Sequence, residues 1–215
     1  MKFHTIYIFT VIYIVSNLLG SFSLAKPDPK AEATTTSILI VGDSLTEGYG
    51  VSRAAAFPAQ LKELFKQNGQ KLDIVNAGSS GSTSASLKKR LAWHLKKKPD
   101  FLMIALGAND GLRGIPPATT KENLKQGIET AQSKGIKVIL AGMKMPMNYG
   151  EDFRKKYEII FSELGQVENV IYIPFLLKGV AGQKSLNQAD GIHPNEKGHK
   201  VIAEQLYIRL KDKIK

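Results

Sequence analysis

The sequence predicts an α/β fold, a five-stranded parallel sheet between two layers of helices. Three observations predict it. Short apolar runs occur five times, at Ile38–Val41, Leu72–Val75, Phe101–Leu106, Lys137–Ala141 and Val170–Ile173. Between the runs, apolar residues recur at helical spacing. The runs are nearly all apolar rather than alternating, as strands covered on both faces are. Strands alternating with helices make βαβ units, and right-handed crossovers put every strand-end loop on one rim.

The elements follow in order. After the first strand, Phe57, Leu61, Leu64 and Phe65 mark a helix that Gly69 ends. The second strand runs into Asn76–Thr83, a loop of small residues that lets backbone come close to a ligand. Leu87, Leu91, His94 and Leu95 mark the next helix face, and the third strand ends in Gly107-Ala108-Asn109-Asp110-Gly111. Thr119 and Glu122 predict a capping box for a helix with Leu124, Ile128 and Ala131 on one face. Phe153, Tyr157, Ile160, Phe161 and Leu164 line the helix between strands four and five. The turn Asp190-Gly191-Ile192-His193-Pro194 precedes a last helix carrying Ile202, Leu206 and Leu210.

At 215 residues, 43% hydrophobic and 23% charged, the chain suits one domain with a sizeable core. Its first residues read differently. Lys2 and His4 precede an apolar run, Thr5–Leu19, and Ser23-Leu24-Ala25 offers small residues to a signal peptidase. The run is short for a spanning helix and is interrupted by Ser16 and Asn17. The expected organisation is a signal peptide at 1–25, a flexible leader at 26–37 and the folded domain at 38–215, in an exported, periplasmic or secreted protein. No cysteine is present, which excludes a disulfide framework and a lipid-modified cysteine anchor.

The net charge is +11, of which the signal segment contributes only Lys2. Such charge favours anionic membrane surfaces or acidic polymers. The densest cluster, Lys88-Lys89-Arg90 with Lys96-Lys97-Lys98, reads as a solvated basic surface, and no aromatic-interleaved nucleic-acid motif accompanies it.

The rim loops carry the chemistry. Ser44 follows the first strand where a helix begins, the place where open parallel sheets put reactive groups and where helix-start amides add positive potential. A serine there also serves as a plain helix cap. As a nucleophile it needs a base to take its proton. Of the four histidines, His4 leaves with the signal, His94 lies on an apolar helix face and His199 is inside the last helix. His193 is in a loop, three residues after Asp190, which can bond Nδ1 and leave Nε2 for the serine. Acyl transfer also needs donors for an oxyanion. The Ser44 amide, the Gly81 amide and the Asn109 side chain are candidates.

Gly42-Asp43-Ser44-Leu45, the Gly81 loop, Gly107-Ala108-Asn109-Asp110 and Asp190-Gly191-Ile192-His193 resemble, in order, the four blocks of the SGNH (GDSL) hydrolase family. Asn109–Gly114 and Met145–Gly150 are most similar to its bacterial thioesterase I, lysophospholipase L1 and arylesterase subgroup. The resemblance implies a flavodoxin-like three-layer α/β/α sandwich and a serine esterase working through an acyl-enzyme. It makes Ser44 the nucleophile, His193 the base and then acid, and Asp190 the residue orienting His193. Ser44, Gly81 and Asn109 then form the oxyanion hole. Asp110 is the rival for the third triad position, and the spacing to His193 favours Asp190. Asp43 is expected to brace the turn. Neither a cofactor nor a metal is implied.

The same resemblance puts Met145, Met147 and Tyr149 over the acyl chain, with Gly150 helping the loop move. It implies a monomer acting on a small acyl ester or lysophospholipid, with thioesters as a further substrate class. Two alternatives remain at this point. One is a carbohydrate acetylesterase on the same fold acting on envelope polymers; the other is a non-catalytic basic module that binds them.

Overall fold

The computed structural model describes residues 35–214. The expected signal segment and residues 26–34 of the expected leader lie outside these. Five strands form one sheet: β1 (Thr36–Gly42), β2 (Leu72–Gly78), β3 (Phe101–Ala105), β4 (Lys137–Ala141) and β5 (Val170–Ile173). Their order is β2-β1-β3-β4-β5, and every pair is parallel. The helices are α1 (Ser44–Glu47), α2 (Phe57–Gln67), α3 (Leu87–His94), α4 (Ala108–Leu112), α5 (Pro117–Gln132), α6 (Glu151–Leu164) and α7 (Glu196–Leu210). No helix among the described residues is long and apolar enough to cross a membrane.

The strand order reverses direction once, between β1 and β3. Helices therefore fall on both faces: α2 packs with α7 on one, and α3, α5 and α6 pack in series on the other. The crevice at such a reversal lies beyond the carboxyl ends of the two central strands. Register makes it level: Gly42 stands opposite Gly78 of β2 and Ala105 of β3.

Burial and strand pairing together explain the strands and three departures from expectation. Ile38 to Val41, Leu102 to Ala105 and Val138 to Ala141 are fully buried, as doubly covered strands must be. β2 is an edge strand, so Asp73, Val75 and Asn76 face out while Leu72 and Ala77 are buried. It also continues through Asn76-Ala77-Gly78, which the sequence reading gave to a loop, because β1 is long enough to pair with it that far. β1 starts at Thr36, two residues inside the expected leader, since Thr36 and Ser37 pair with Leu72 and Asp73 and Asp100 accepts from the Ser37 amide at 2.7 Å.

The predicted capping box is absent. α5 starts at Pro117, and no side chain caps it. Proline suits a first helical position because its fixed φ is already helical and its missing N–H would have no partner there. Thr119 thus falls within the first turn. α7 is capped conventionally, Asn195 accepting from the Gly198 amide at 3.1 Å.

The core joins both layers through Phe57, Phe65, Phe101, Tyr157 and Phe161, all buried. Each large apolar side chain contributes roughly 1.5–3 kcal/mol. With no disulfide, this burial carries the stability. At the end remote from the crevice, the Gln70 side chain donates to the Ile214 carbonyl at 3.4 Å, beside the start of β2.

Candidate active site

The nucleophile turn is shaped by what two glycines lack. A Cβ on Gly42 would lie 2.5 Å from Thr46 Cβ, and one on Gly78 would lie 2.1 Å from the Glu47 amide nitrogen. Without them α1 settles directly on the ends of β1 and β2. Asp43, fully buried, caps α1 by accepting from the Leu45 amide at 3.0 Å. Burial pushes its carboxyl up to about 6, against the Leu45 bond and the nearby positive charge of His193 and Arg90. Arg90 reaches up from α3 and donates to the Gly42 carbonyl at 2.9 Å and to the Ala77 carbonyl, tying the two strand ends together.

The opposing wall is the Asp190–His193 turn. One Asp190 oxygen accepts from the Ile192 and His193 amides, both at 3.0 Å. The other lies 2.7 Å from His193 Nδ1. These His193 bonds, backbone first, hold the Asp190 carboxyl down at about 2. His193 Nε2 then points at Ser44 Oγ, 3.0 Å away. Imidazole and hydroxyl are thus in hydrogen-bond contact across 149 residues of sequence.

Two loops bring the donors. Gly81, at φ 74°, occupies a conformation that favours glycine, and its carbonyl accepts from Arg113 at 3.0 Å. Asn109, at the start of α4, donates to the Ser82 carbonyl at 3.1 Å and to Asp43 at 3.4 Å. Among the described residues, the amides of Ser44 and Gly81 donate to no backbone acceptor. Asp110 sits behind both loops, fully buried. It accepts from the Ser84 amide at 2.8 Å, from the Ser84 hydroxyl and from Thr120 at 3.4 Å. It fastens the Gly81 loop to α4 and does not contact His193.

Ser44, Gly81, Asn109 and His193 line a cleft of about 650 Å³. Met145 and Met147 are in its wall, and so are Leu112, Phe175, Leu177 and Ile192. Tyr149, expected over the acyl chain, is not in the lining. Its hydroxyl instead donates to the Leu112 carbonyl at 2.9 Å, and its ring stacks near Phe153. His94 is half-buried on α3. His199 is buried in α7, its Nδ1 accepting from the Phe57 amide at 3.3 Å. Among the described residues, no group of three or more His, Asp or Glu side chains could hold a metal ion.

Three further participants have roles that the sequence does not assign. The Tyr49 ring lies 4.7 Å from the His193 ring, centre to centre. Gln188 donates to the Tyr49 carbonyl at 2.7 Å and the Pro194 carbonyl at 3.0 Å, lacing the histidine turn to the serine turn. Arg113 holds Gly81. Arg113 lies inside the Asn109–Gly114 block, but its hold on Gly81 shows only once the loops are adjacent, and Tyr49 and Gln188 are ordinary surface residues in composition.

Residues 40–201 match the GDSL-like Lipase/Acylhydrolase family. The chain is 35% identical to esterase TesA of Pseudomonas aeruginosa over 195 residues, 90% of this chain and 97% of that protein. It is 34% identical to the thioesterase 1/protease 1/lysophospholipase L1 of Escherichia coli K12, over 83% of this chain and 85% of the relative. The crystal structure of the psychrotrophic esterase EstA from Pseudoalteromonas, inhibited by monoethylphosphonate, superposes with a TM-score of 0.78 at 30% identity, over 82% of this chain and 97% of that one. The family match, the curated relatives and the structural superposition agree, and the chain belongs to the GDSL-like lipase/acylhydrolase family of ester hydrolases.

Proposed function

We propose that Ser44, His193 and Asp190 form a catalytic triad that hydrolyses acyl esters through an acyl-enzyme. The single observation carrying this is the chain of contacts from Ser44 Oγ to His193 Nε2 at 3.0 Å and from His193 Nδ1 to Asp190 at 2.7 Å. In the reaction, Ser44 Oγ bonds to the ester carbonyl carbon as its proton passes to His193 Nε2. The carbonyl oxygen becomes an oxyanion, met by the Ser44 and Gly81 amides and the Asn109 side chain. Asn109 then gives up an existing bond. The intermediate collapses, the ester C–O bond breaks, and His193 returns the proton to the leaving alcohol. Water repeats the sequence and frees the acid. Asp190, held charged well below neutrality, keeps His193 turned and stabilises its protonated form.

The apolar wall around Met145 and Met147 favours medium or long acyl chains and lysophospholipids over acetate. A thioester can enter by the same chemistry, but coenzyme A thioesters are cytosolic and we read this protein as exported. We further propose that it works as a monomer that meets an anionic membrane surface peripherally. Labelling with a fluorophosphonate probe followed by peptide mapping tests the triad: the adduct belongs on Ser44, and an adduct elsewhere refutes the assignment. A series of p-nitrophenyl esters tests the substrate. Turnover that peaks beyond acetate supports this reading, and strict acetate preference would support a carbohydrate acetylesterase.

A further inference from the structure

The end of the molecule remote from the cleft carries chemistry that ester hydrolysis does not use. α3 leaves the cleft side after β2 and runs toward that end, where the turn at Leu95–Lys97 and Lys98 lead into β3. Its inner face, Leu87, Leu91 and Leu95, is buried. Trp93, the chain's one tryptophan, points the other way and is 70% exposed. Lys89 lies one turn before it on the same stripe, and Lys96 Nζ is 4.8 Å from the centre of the indole ring.

Lys88, Lys89, Lys96, Lys97 and Lys98 are all exposed, and none pairs with a carboxylate among the described residues. The nearest acid in sequence, Asp100, is engaged by the amide and hydroxyl of Ser37, each at 2.7 Å. The positive field is felt locally: His94 is held below its usual range by burial first, then by Arg90 and Lys97.

Lysines alone would be a solvated face, which is how the sequence reads. The indole changes that. A large apolar ring left in water gains little from the fold beyond its contact with the Lys96 ammonium, and four more unpaired lysines stand close to it in sequence. It matches the headgroup layer of a bilayer, where an amphipathic ring sits half-immersed and lysines meet anionic lipid. A single-stranded polyanion such as nucleic acid would call for several aromatic platforms in succession, and this surface has one.

We propose that the Trp93-centred lysine patch docks the protein on an anionic lipid bilayer, with the cleft turned to the aqueous side. This rests on the anionic-membrane contact proposed above and gives it a face, and it is independent of the ester chemistry.

The test uses the protein as exported by its host, with Trp93 as the only indole reporter. Vesicles of phosphatidylcholine containing phosphatidylglycerol should move its emission to shorter wavelength and carry the protein down on sedimentation. Vesicles of phosphatidylcholine alone should do neither, and added salt should reverse the binding. The triple variant Lys96→Gln, Lys97→Gln, Lys98→Gln should bind on the order of a hundredfold more weakly. Its turnover of a soluble p-nitrophenyl ester should stay unchanged, which also reports folding.

Unshifted emission, equal binding to neutral vesicles or a triple variant that binds like the parent would each overturn the proposal. So would sedimentation with soluble polyphosphate that the triple variant loses while vesicles leave the indole unmoved, because the partner is then a polymer. If the triple variant fails to fold, the lipid selectivity and salt response of the parent protein decide. Failure of the ester reading appears separately, as absent turnover in the parent.

Discussion

The two walls of the cleft are built in opposite ways. The serine wall is a product of the core: β1 is buried from Ile38 to Gly42, Asp43 is fully buried, and Gly42 and Gly78 let α1 press against the sheet. The histidine wall is a surface turn. Its Asp190 side chain is 39% exposed, and the turn holds its shape through a few polar bonds: the two Asp190 amide contacts, and Gln188 reaching to Tyr49 and Pro194. Packing fixes the nucleophile and hydrogen bonds aim the base. The first should survive most surface changes, whereas the second depends on individual side chains.

The largest expected effect separates chemistry from architecture. Ser44→Ala should cut kcat on a p-nitrophenyl ester by about a millionfold while leaving Tm nearly unchanged. Asp190→Ala should cost about ten-thousand-fold, less than deleting a reacting group, because a misaimed imidazole still visits the productive orientation. If Asp110→Ala removed activity with no change in Tm while Asp190→Ala were normal, the third triad position would be wrong. The expected result for Asp110→Ala is instead a loss of about 3 kcal/mol in a denaturant titration, since the Ser84 amide and hydroxyl lose a buried partner. Activity should fall with it as Gly81 and Asn109 drift apart.

His199 ties the histidine wall to the core through the Phe57 amide, and acid should loosen it. Burial and the charge of His193 lower it to about 4 from an ordinary 6.5. Its folded pKa is therefore below its unfolded one, so the unfolded chain binds the extra proton. The stability it contributes is complete above about pH 6.5 and is lost as pH falls toward 4, roughly 2–3 kcal/mol in all. Asp43, raised to about 6, titrates with the opposite sign in the same window. The measurement is consequently the difference between Tm–pH curves of the parent and His199→Gln, which should widen above pH 4 and level off near 6.5. A constant difference would remove His199 from the account. The smallest effect should come from Gln188→Ala: about a tenfold fall in kcat/KM, about 1.4 kcal/mol at the transition state. Its Tm should hold, as for most surface substitutions. An unchanged kcat/KM would mean the turn needs no lacing from outside.

Much of this was readable from sequence because the informative residues are local. Branched apolar runs report a covered strand wherever they occur, and a glycine, aspartate or asparagine after such a run reports a rim loop. What stayed hidden is long-range. Asp110 looked like a rival catalytic acid, and only its contact with Ser84, 26 residues earlier, gives it a clamping role. Tyr149 resembled a pocket residue, and only its bond to the Leu112 carbonyl, 37 residues earlier, gives it another place. The polar content of β2 was invisible because a strand's place at the sheet edge depends on pairing order, which no local pattern encodes. Pro117 overrode the capping signal two residues later, a case of one backbone preference outranking another.

The Gln70–Ile214 contact brings the carboxyl end of the described chain beside the start of β2, which pairs with the start of β1. Both ends of the described fold therefore emerge side by side, on the side opposite the crevice. A tether, a fused partner or an immobilising support attached at either end leaves substrate entry unobstructed. The same adjacency makes this fold a natural candidate for joining its ends and reopening the chain in a surface loop.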